Sequence, residues 1–237
     1  MFSSHSFATA TRLNSSIDLL AESENILALP PSMRDEEGIP GLVFVGRRQE
    51  QLPARLVIFA GSEEEDSVGS LALLKLLVDL DLAPLLAHDY ALFCYLSFPR
   101  KAKTNFDRQR WNVHSGKTSL TSEQPRFDAD GFISIRANDS VGGLQIEASD
   151  RTIANEVAWP AVVRASRIQP LDVDPVRCVP ADGVLGGNTS DLPANAFRLA
   201  IRTPWVAEAE NQIAAIGIAL KEILLQYRVL RNFAKAL

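Results

Sequence analysis

The chain has 237 residues and a net charge of −5, so it lacks the basic excess typical of nucleic-acid-binding proteins. Hydrophobic residues make up 46% and charged residues 22%, as in globular proteins, and no run of about 18 apolar residues predicts a membrane span. Two cysteines, Cys94 and Cys178, are too few for a disulfide framework, so a reducing cytoplasm is the expected compartment. We expect no secretory signal, because the N-terminus lacks a long apolar core.

Residues 1–16 are small and polar and predict a flexible N-terminus, and residues 17–237 are expected to form one domain. The clearest pattern lies between residues 55 and 80. The apolar run Leu56–Ala60 predicts a buried strand, an acidic turn follows it, and from Gly69 the apolar spacing becomes helical. A strand, a turn and a helix in this order place the turn at the carboxyl edge of an α/β sheet, where such folds bind ligands.

Further strands are predicted where apolar residues run together or alternate with polar ones. They span Gly41–Gly46, Tyr90–Phe98, Gly131–Arg136, Leu144–Glu147 and Phe197–Thr203. A helix is expected within 150–165, broken by Pro160, and residues 171–194 are expected to be mostly loop. For the last helix, Thr203 is the expected cap and Pro204 fits the first turn.

Strands that alternate with helices favour a single α/β domain. We therefore predict a three-layer α/β/α architecture, with a mixed, twisted sheet of about seven or eight strands and helices on both faces. The long C-terminal helix is expected to pack on one side through an apolar stripe. That stripe comprises Ile213, Ile216, Leu220, Ile223, Tyr227 and Leu230.

Two interpretations fit the acidic turn, which contains Glu63 and Asp66. Carboxylates suit hard cations such as magnesium, calcium or manganese. The simpler interpretation is that acidic side chains at a helix N-terminus interact favourably with the helix dipole and its N–H groups. The sequence favours this second interpretation.

The order of four segments resembles the zinc carboxypeptidase superfamily, specifically the branch near succinylglutamate desuccinylase and aspartoacylase. The segments read FAGSEEEDSVGSLALLKLL, FPRKAKTNFDRQRWNVHS, FDADGFISI and FRLAIRTP. The resemblance runs from about Leu42 to the C-terminus. It implies the carboxypeptidase fold and, in the family's active members, a zinc site with a general base.

At the positions that the resemblance assigns to chemistry, this chain carries different residues. The first zinc histidine falls at Glu63, the metal-binding glutamate at Asp66, the substrate-clamp arginine at Asn105, an Asn-Arg pair at His114 and Ser115, and the general-base glutamate at Arg202. The second zinc histidine is expected shortly before Asp128, where residues 120–127 contain none. The resemblance therefore implies a retained scaffold with a degenerate active site.

A hydrolytic zinc of this type needs neutral imidazoles, a carboxylate and an open position for water. Of the three histidines, His5, His88 and His114, only His114 is expected near such a pocket. Arg202 would bring a permanent positive charge to the position of the base. That arginine is either a solvated strand end or the partner of Glu63 or Asp66 across the pocket.

The segment 100–124 is long, polar and basic, and loops of that length are usually functional or disordered. Its Lys101, Lys103, Arg108 and Arg110 are either a solvated loop surface or a site for an anion. Asn105 cannot form the bidentate clamp that an arginine gives a carboxylate. Cys94, in mid-strand, is expected to be a core residue rather than a nucleophile.

These features lead to a first hypothesis: a catalytically degenerate carboxypeptidase-like protein that acts as a binding or regulatory module. It would use no cofactor and would recognise a protein partner or a small anionic ligand, with neither nucleic acid nor membrane as a partner. The alternative is a divergent metal-dependent hydrolase of peptides or N-acyl amino acids, using Glu63, Asp66 and His114 for zinc or another divalent cation. A third hypothesis is a purely structural role, with the basic segment or an edge strand as an interface.

Overall fold

The fold is taken from a computed structural model of the protein. The described residues are 20, 23–28, 41–46, 53–60, 68–96, 129–138, 141–168, 172–180, 184, 193, 195–204 and 206–236. The predicted flexible N-terminus, residues 1–16, lies outside these ranges.

The described strands form one eight-stranded mixed sheet in the order β1-β2-β4-β3-β5-β8-β6-β7. The strands are β1 Ile26–Ala28, β2 Gly41–Val45, β3 Ala54–Ala60, β4 Tyr90–Leu96, β5 Gly131–Asn138, β6 Gln145–Ala148, β7 Arg177–Cys178 and β8 Phe197–Pro204. Six of them were predicted from their apolar runs, and the mixed eight-stranded sheet confirms the predicted class. The short strands β1 and β7 were not predicted, because three and two residues are too few to show a period.

The four central strands β4, β3, β5 and β8 are parallel to one another. On one side β2 runs antiparallel to β4, and on the other side β6 runs antiparallel to β8. The edge strands are β1, beside β2, and β7, beside β6. Continuous apolar runs such as Leu56–Ala60 suit these central positions, because parallel strands are covered on both faces. The carboxyl ends of four strands consequently meet at one edge of the sheet.

Three helices cover one face of the sheet: α1 Val68–Leu82, α2 Trp159–Ile168 and α3 Ala209–Ala236. Their apolar residues share a single core with alternate strand residues such as Ile58, Ile133 and Leu199. The predicted stripe of α3 lies in or against this core, with Ile216, Leu220 and Ile223 fully buried. Among the described helices, none is long and apolar enough to cross a membrane.

The opposite face of the sheet carries a second apolar cluster. It comprises Val57, Phe59, Tyr95, Ala129, Phe132, Val184, Ala196 and Ala200. Of the residues described on this side, Val184 is in a helical conformation and is fully buried. Most of the third layer that the sequence predicts would fall outside the described ranges.

The expected break of the helix at Pro160 is wrong. The chain is helical from Arg151–Ile153 through a π-helical turn, Ala154–Ala158, into α2. The Trp159 N–H donates to the carbonyl of Ala154, five residues back, so the turn before Pro160 is wider than an α-turn. The wider turn accommodates a residue that lacks an N–H and would clash with the carbonyl of an ordinary α-turn.

The predicted start of the C-terminal helix at Thr203 and Pro204 is also wrong. Both residues belong to β8, where they pair with Ala137 and Asn138 of β5. The helix α3 begins at Ala209. Thr203 still contacts the start of α3: the Thr203 Oγ1 donates to Oε1 of Gln212 at 2.8 Å, and both residues are buried.

Tyr90, the first residue of β4, connects this strand to α3. Its side chain is fully buried, and its hydroxyl donates to the carbonyl of Leu224 at 2.5 Å. Arg228 lies over the Tyr90 ring at 5.7 Å and forms an ion pair with Asp89 at 2.7 Å. Burial raises the pKa of Tyr90 far above its usual range, so this hydroxyl stays a donor.

Replacing Tyr90 with phenylalanine keeps the ring and removes only the hydroxyl. We expect the free energy of unfolding to fall by about 1–2 kcal/mol, because the change removes a buried hydrogen bond. Urea unfolding followed by circular dichroism measures the loss. The matched control is Tyr227→Phe: that ring packs on Phe197, and within the described ranges no hydrogen bond is assigned to its hydroxyl. An equal loss in both variants would contradict the proposed role of the Tyr90 hydroxyl.

Candidate functional site

The carboxyl edge of the four parallel strands is the candidate site. Such edges hold the binding crevices of open α/β sheets. On β8 the last residues are Arg202, Thr203 and Pro204, and the register places Arg202 directly beside Arg136 of β5. Thr203 points to the helix side, where it contacts Gln212, so Arg202 points to the opposite side.

Arg202 forms an ion pair with Glu147 of the neighbouring strand β6. Its Nη2 lies 2.7 Å from Oε2 of Glu147, and the two side chains are 20% and 10% exposed. In the antiparallel register Glu147 faces Ala200 and Gln145 faces Arg202. Because Arg202 and Glu147 lie on one face, the arginine reaches diagonally to the carboxylate. The pair is well shielded from water, so each charge depends on the other.

Further polar side chains lie on this face of β8 and β5. Arg198 is 7% exposed and Ser134 is 3% exposed. Nε of Arg198, Nε of Arg202 and Oγ of Ser134 are buried and have no hydrogen-bond partner in the described part of the chain. The register aligns Ser134 with Ala200, which lies between Arg198 and Arg202 on the same face of β8. With Arg136, the face therefore combines three arginines, one hydroxyl and the carboxylate of Glu147.

Arg202 is the only predicted site residue that the structure describes. The others lie outside the described ranges: Glu63, Asp66, Lys101, Lys103, Asn105, Arg108, Arg110, His114 and Ser115. The pairing of Arg202 with Glu63 or Asp66 therefore stays a prediction, and the observed partner is Glu147. Sequence reasoning placed Glu147 on a strand without assigning it a role, since nothing local indicates which strand lies beside it.

His88 lies away from this site, as expected. It follows the 3₁₀ turn Pro84–Leu86, and its Nδ1 lies 2.8 Å from the carbonyl of Leu85. It precedes Tyr90, the first residue of β4, and so sits at the amino end of that strand. The carboxyl edge of the sheet is the opposite end.

The described residues do not supply a ligand set for the zinc that the resemblance implies. In these ranges no three histidine, cysteine or carboxylate side chains lie close enough together to hold a metal ion. Glu147, the carboxylate that contacts Arg202, is engaged by that guanidinium. A divalent cation beside Arg202 would also be repelled by its fixed charge.

Comparison with known proteins identifies solved structures that share this fold. No protein-family model matches the chain, and no curated protein matches it. A metallo-carboxypeptidase from Burkholderia cenocepacia superposes with a TM-score of 0.61 at 12% identity, over 93% of this chain and 69% of that one. A metallo-carboxypeptidase from Pseudomonas aeruginosa, in complex with (2-guanidinoethylmercapto)succinic acid, gives 0.57 at 11% identity, over 92% and 68%.

Bovine thrombin-activatable fibrinolysis inhibitor, in complex with tick carboxypeptidase inhibitor, gives a TM-score of 0.54 at 8% identity, over 94% of this chain and 95% of that one. The chain has the metallo-carboxypeptidase fold. At these identities the likeness concerns the fold alone. The expected fold class and the expected resemblance are thereby confirmed at that level.

Both cysteines of this carboxypeptidase-like domain are free thiols, as predicted. Cys94 is fully buried in β4, and burial raises its pKa far above the usual range of a thiol. Cys178, on β7, is exposed and lines a groove of about 440 Å³ together with Trp159 and Arg151. The expectation that Cys94 is a core residue is confirmed.

The Glu147–Arg202 pair predicts a specific stability effect. We expect Glu147→Gln to lower the free energy of unfolding by about 2–3 kcal/mol, because it leaves a shielded guanidinium without its counter-charge. The matched control is Asp79→Asn, whose pair with Lys221 is formed by side chains that are 34% and 37% exposed. This control should cost less than about 1 kcal/mol. Chemical denaturation measures both, and equal losses would contradict a special role of the Glu147 pair.

The two thiols are expected to differ in reactivity. In native protein, a disulfide reagent such as DTNB should modify one thiol rapidly, because only Cys178 is accessible and Cys94 is a buried, protonated thiol. Denatured protein should release two equivalents of thionitrobenzoate. Cys178→Ser should abolish the fast phase, and Cys94→Ser should leave it unchanged. A fast phase that survives in Cys178→Ser would show that Cys94 is not the core residue described above.

Proposed function

We propose that this protein is a catalytically degenerate relative of the metallo-carboxypeptidases that acts as a binding or regulatory module. The observation that carries the proposal is the ion pair between Arg202 and Glu147 at the carboxyl edge of β8. The resemblance assigns the family's general base to the position of Arg202. A carboxypeptidase-like scaffold thus carries a fixed cation where its relatives are expected to carry a proton acceptor.

The chemical argument rests on what a guanidinium can do. A general base must accept a proton from water, and a guanidinium stays protonated in proteins. Glu147 is no substitute as long as it is held by Arg202 at 2.7 Å, because its carboxylate already balances that charge. The arrangement suits recognition of an anion better than activation of a metal-bound water.

The partner that fits this site is a small anionic ligand, and a protein partner is the other possibility that the sequence leaves open. The proposed module needs no cofactor. A reducing, cytoplasmic setting agrees with two free thiols, of which one is exposed.

Zinc binding tests the proposal directly. Full-length protein is incubated with excess zinc, passed over a desalting column and analysed by inductively coupled plasma mass spectrometry. We expect substoichiometric zinc that is equal in the wild type and in the Glu63→Ala and Asp66→Ala variants, because the site has lost its imidazole ligands. One tightly held equivalent that is lost in either variant would refute the degenerate site.

The metallo-carboxypeptidase fold itself supports an alternative, a divergent metal-dependent hydrolase of peptides or N-acyl amino acids. It would use Glu63, Asp66 and His114 around zinc, manganese or magnesium. Activity assays with each metal distinguish the two proposals: metal-dependent turnover that Glu63→Ala removes favours the hydrolase. Turnover that Glu63→Ala leaves unchanged does not come from this carboxylate site.

A further inference from the structure

Arg198 is a buried cation for which the described residues supply no matching anion. It lies on β8, opposite Phe132 of β5, and only 7% of it is exposed. Its backbone N–H donates to Oγ of Ser149 at 3.0 Å, but its buried side-chain Nε has no hydrogen-bond partner among the described residues. No carboxylate among them forms an ion pair with its guanidinium. Within the described part of the chain, the charge of this largely buried side chain is therefore unpaired.

Such a charge is costly for a protein to maintain. Removing an ion from water without pairing it is expensive, and most buried ionisable groups escape the cost by becoming neutral. Arginine cannot take that route, because it keeps its proton at any physiological pH. A buried, unpaired arginine is consequently a strong indication of an anion that completes the structure.

The described carboxylates near this part of β8 are already engaged. Glu147 is held by Arg202, and Asp130, just before β5, accepts the backbone N–H of Arg55 at 2.7 Å. The register also places Arg136 on this face, beside Arg202, so positive side chains predominate here. Among the described residues, none forms an ion pair with Arg198.

The surroundings of Arg198 add a second unused donor. Ser134 is 3% exposed, and its buried Oγ has no hydrogen-bond partner among the described residues. It stands beside Ala200, one position along the same face from Arg198, so Ser134 and Arg198 are diagonal neighbours across two parallel strands.

The setting strengthens any charge-assisted contact made here. Phe132 and Ala200, neighbours of Arg198 and Ser134, belong to the second apolar cluster. In a medium of low polarity, hydrogen bonds between an oxyanion and a guanidinium are stronger than in water. The planar fork of the guanidinium matches the geometry of carboxylates and phosphates.

We propose that Arg198 and Ser134 form a binding site for a small oxyanion, a carboxylate or a phosphate, on the face of the sheet opposite the three helices. Arg198 supplies the charge and Ser134 a hydroxyl donor, while the Arg202–Glu147 pair bounds the site. This inference deepens the proposed function, on which it rests, by naming where the binding module would hold its anionic ligand.

The test measures anion binding by full-length protein at constant ionic strength. Thermal unfolding and isothermal titration calorimetry are run with inorganic phosphate and, separately, with succinate, while sodium chloride balances the salt. We expect a saturable rise of the melting temperature with at least one anion, because a ligand that binds only the folded state stabilises it. The two arms decide whether the oxyanion is a phosphate or a carboxylate.

Four variants assign the site. Arg198→Met should remove the saturable response, and Arg198→Lys, which keeps the charge but loses the fork, should weaken binding roughly tenfold. Ser134→Ala should weaken it by a smaller factor. The control Arg164→Met changes an exposed arginine on α2 and should bind like the wild type. If Arg198→Met does not fold, the lysine and alanine variants carry the test.

The proposal is overturned if neither anion gives a saturable response, or if Arg198→Lys and Ser134→Ala bind as tightly as the wild type. The zinc measurement is independent of this result. If the protein binds an anion at Arg198 and also holds one zinc tightly, the anion site stands and the degenerate-enzyme proposal is refuted. If it binds neither an anion nor zinc, only the anion site is refuted.

Discussion

The structure depends on strand β8, which pairs along its whole length with β5 and, on its other side, with the antiparallel strand β6. Side chains alternate between the two sides of the sheet, so the two faces of β8 have different surroundings. Leu199 and Ile201 face the three helices and are fully buried in the main core. Arg198 and Arg202 face the other way, where a charge must be balanced by whatever the adjacent strands or a ligand provide.

That division explains how one scaffold can carry different chemistry. The free energy that holds α3 on the sheet comes from apolar burial and from contacts such as the hydroxyl of Tyr90 on the carbonyl of Leu224. None of these contacts involves the polar face of β8. Changing a residue such as Arg202 therefore alters local charge balance with Glu147 while the helix-side core remains intact.

Local patterns predicted most of the sheet but not its connections. Apolar runs identified β2 to β6 and β8, because a strand buried on both faces must be apolar along its length. The prediction of a helix break at Pro160 is wrong because a π-turn precedes that residue. The prediction of a helix start at Thr203 is wrong because β8 continues along β5 through this residue. In both cases the deciding contact lies outside the local sequence window on which a propensity is based.

The candidate site was harder to predict for the same reason. Arg202 was identified through a resemblance, but its partner depends on β6 lying antiparallel beside β8, a register between residues 55 positions apart. No local pattern marks Arg198, because an arginine in a strand usually faces solvent. Only the fold shows that this strand is central and that the residue is 93% enclosed, as its exposure of 7% implies.

The two arginines on β8 differ in one respect that decides their roles. Arg202 lies at the open end of the strand and has Glu147, so its charge is balanced within the protein. Arg198 lies four residues earlier, near the amino end of β8, and forms no ion pair with a described carboxylate. A guanidinium that is buried without a counter-charge costs stability unless an anion compensates it. This difference is why the proposed anion site is placed at Arg198 and not at Arg202.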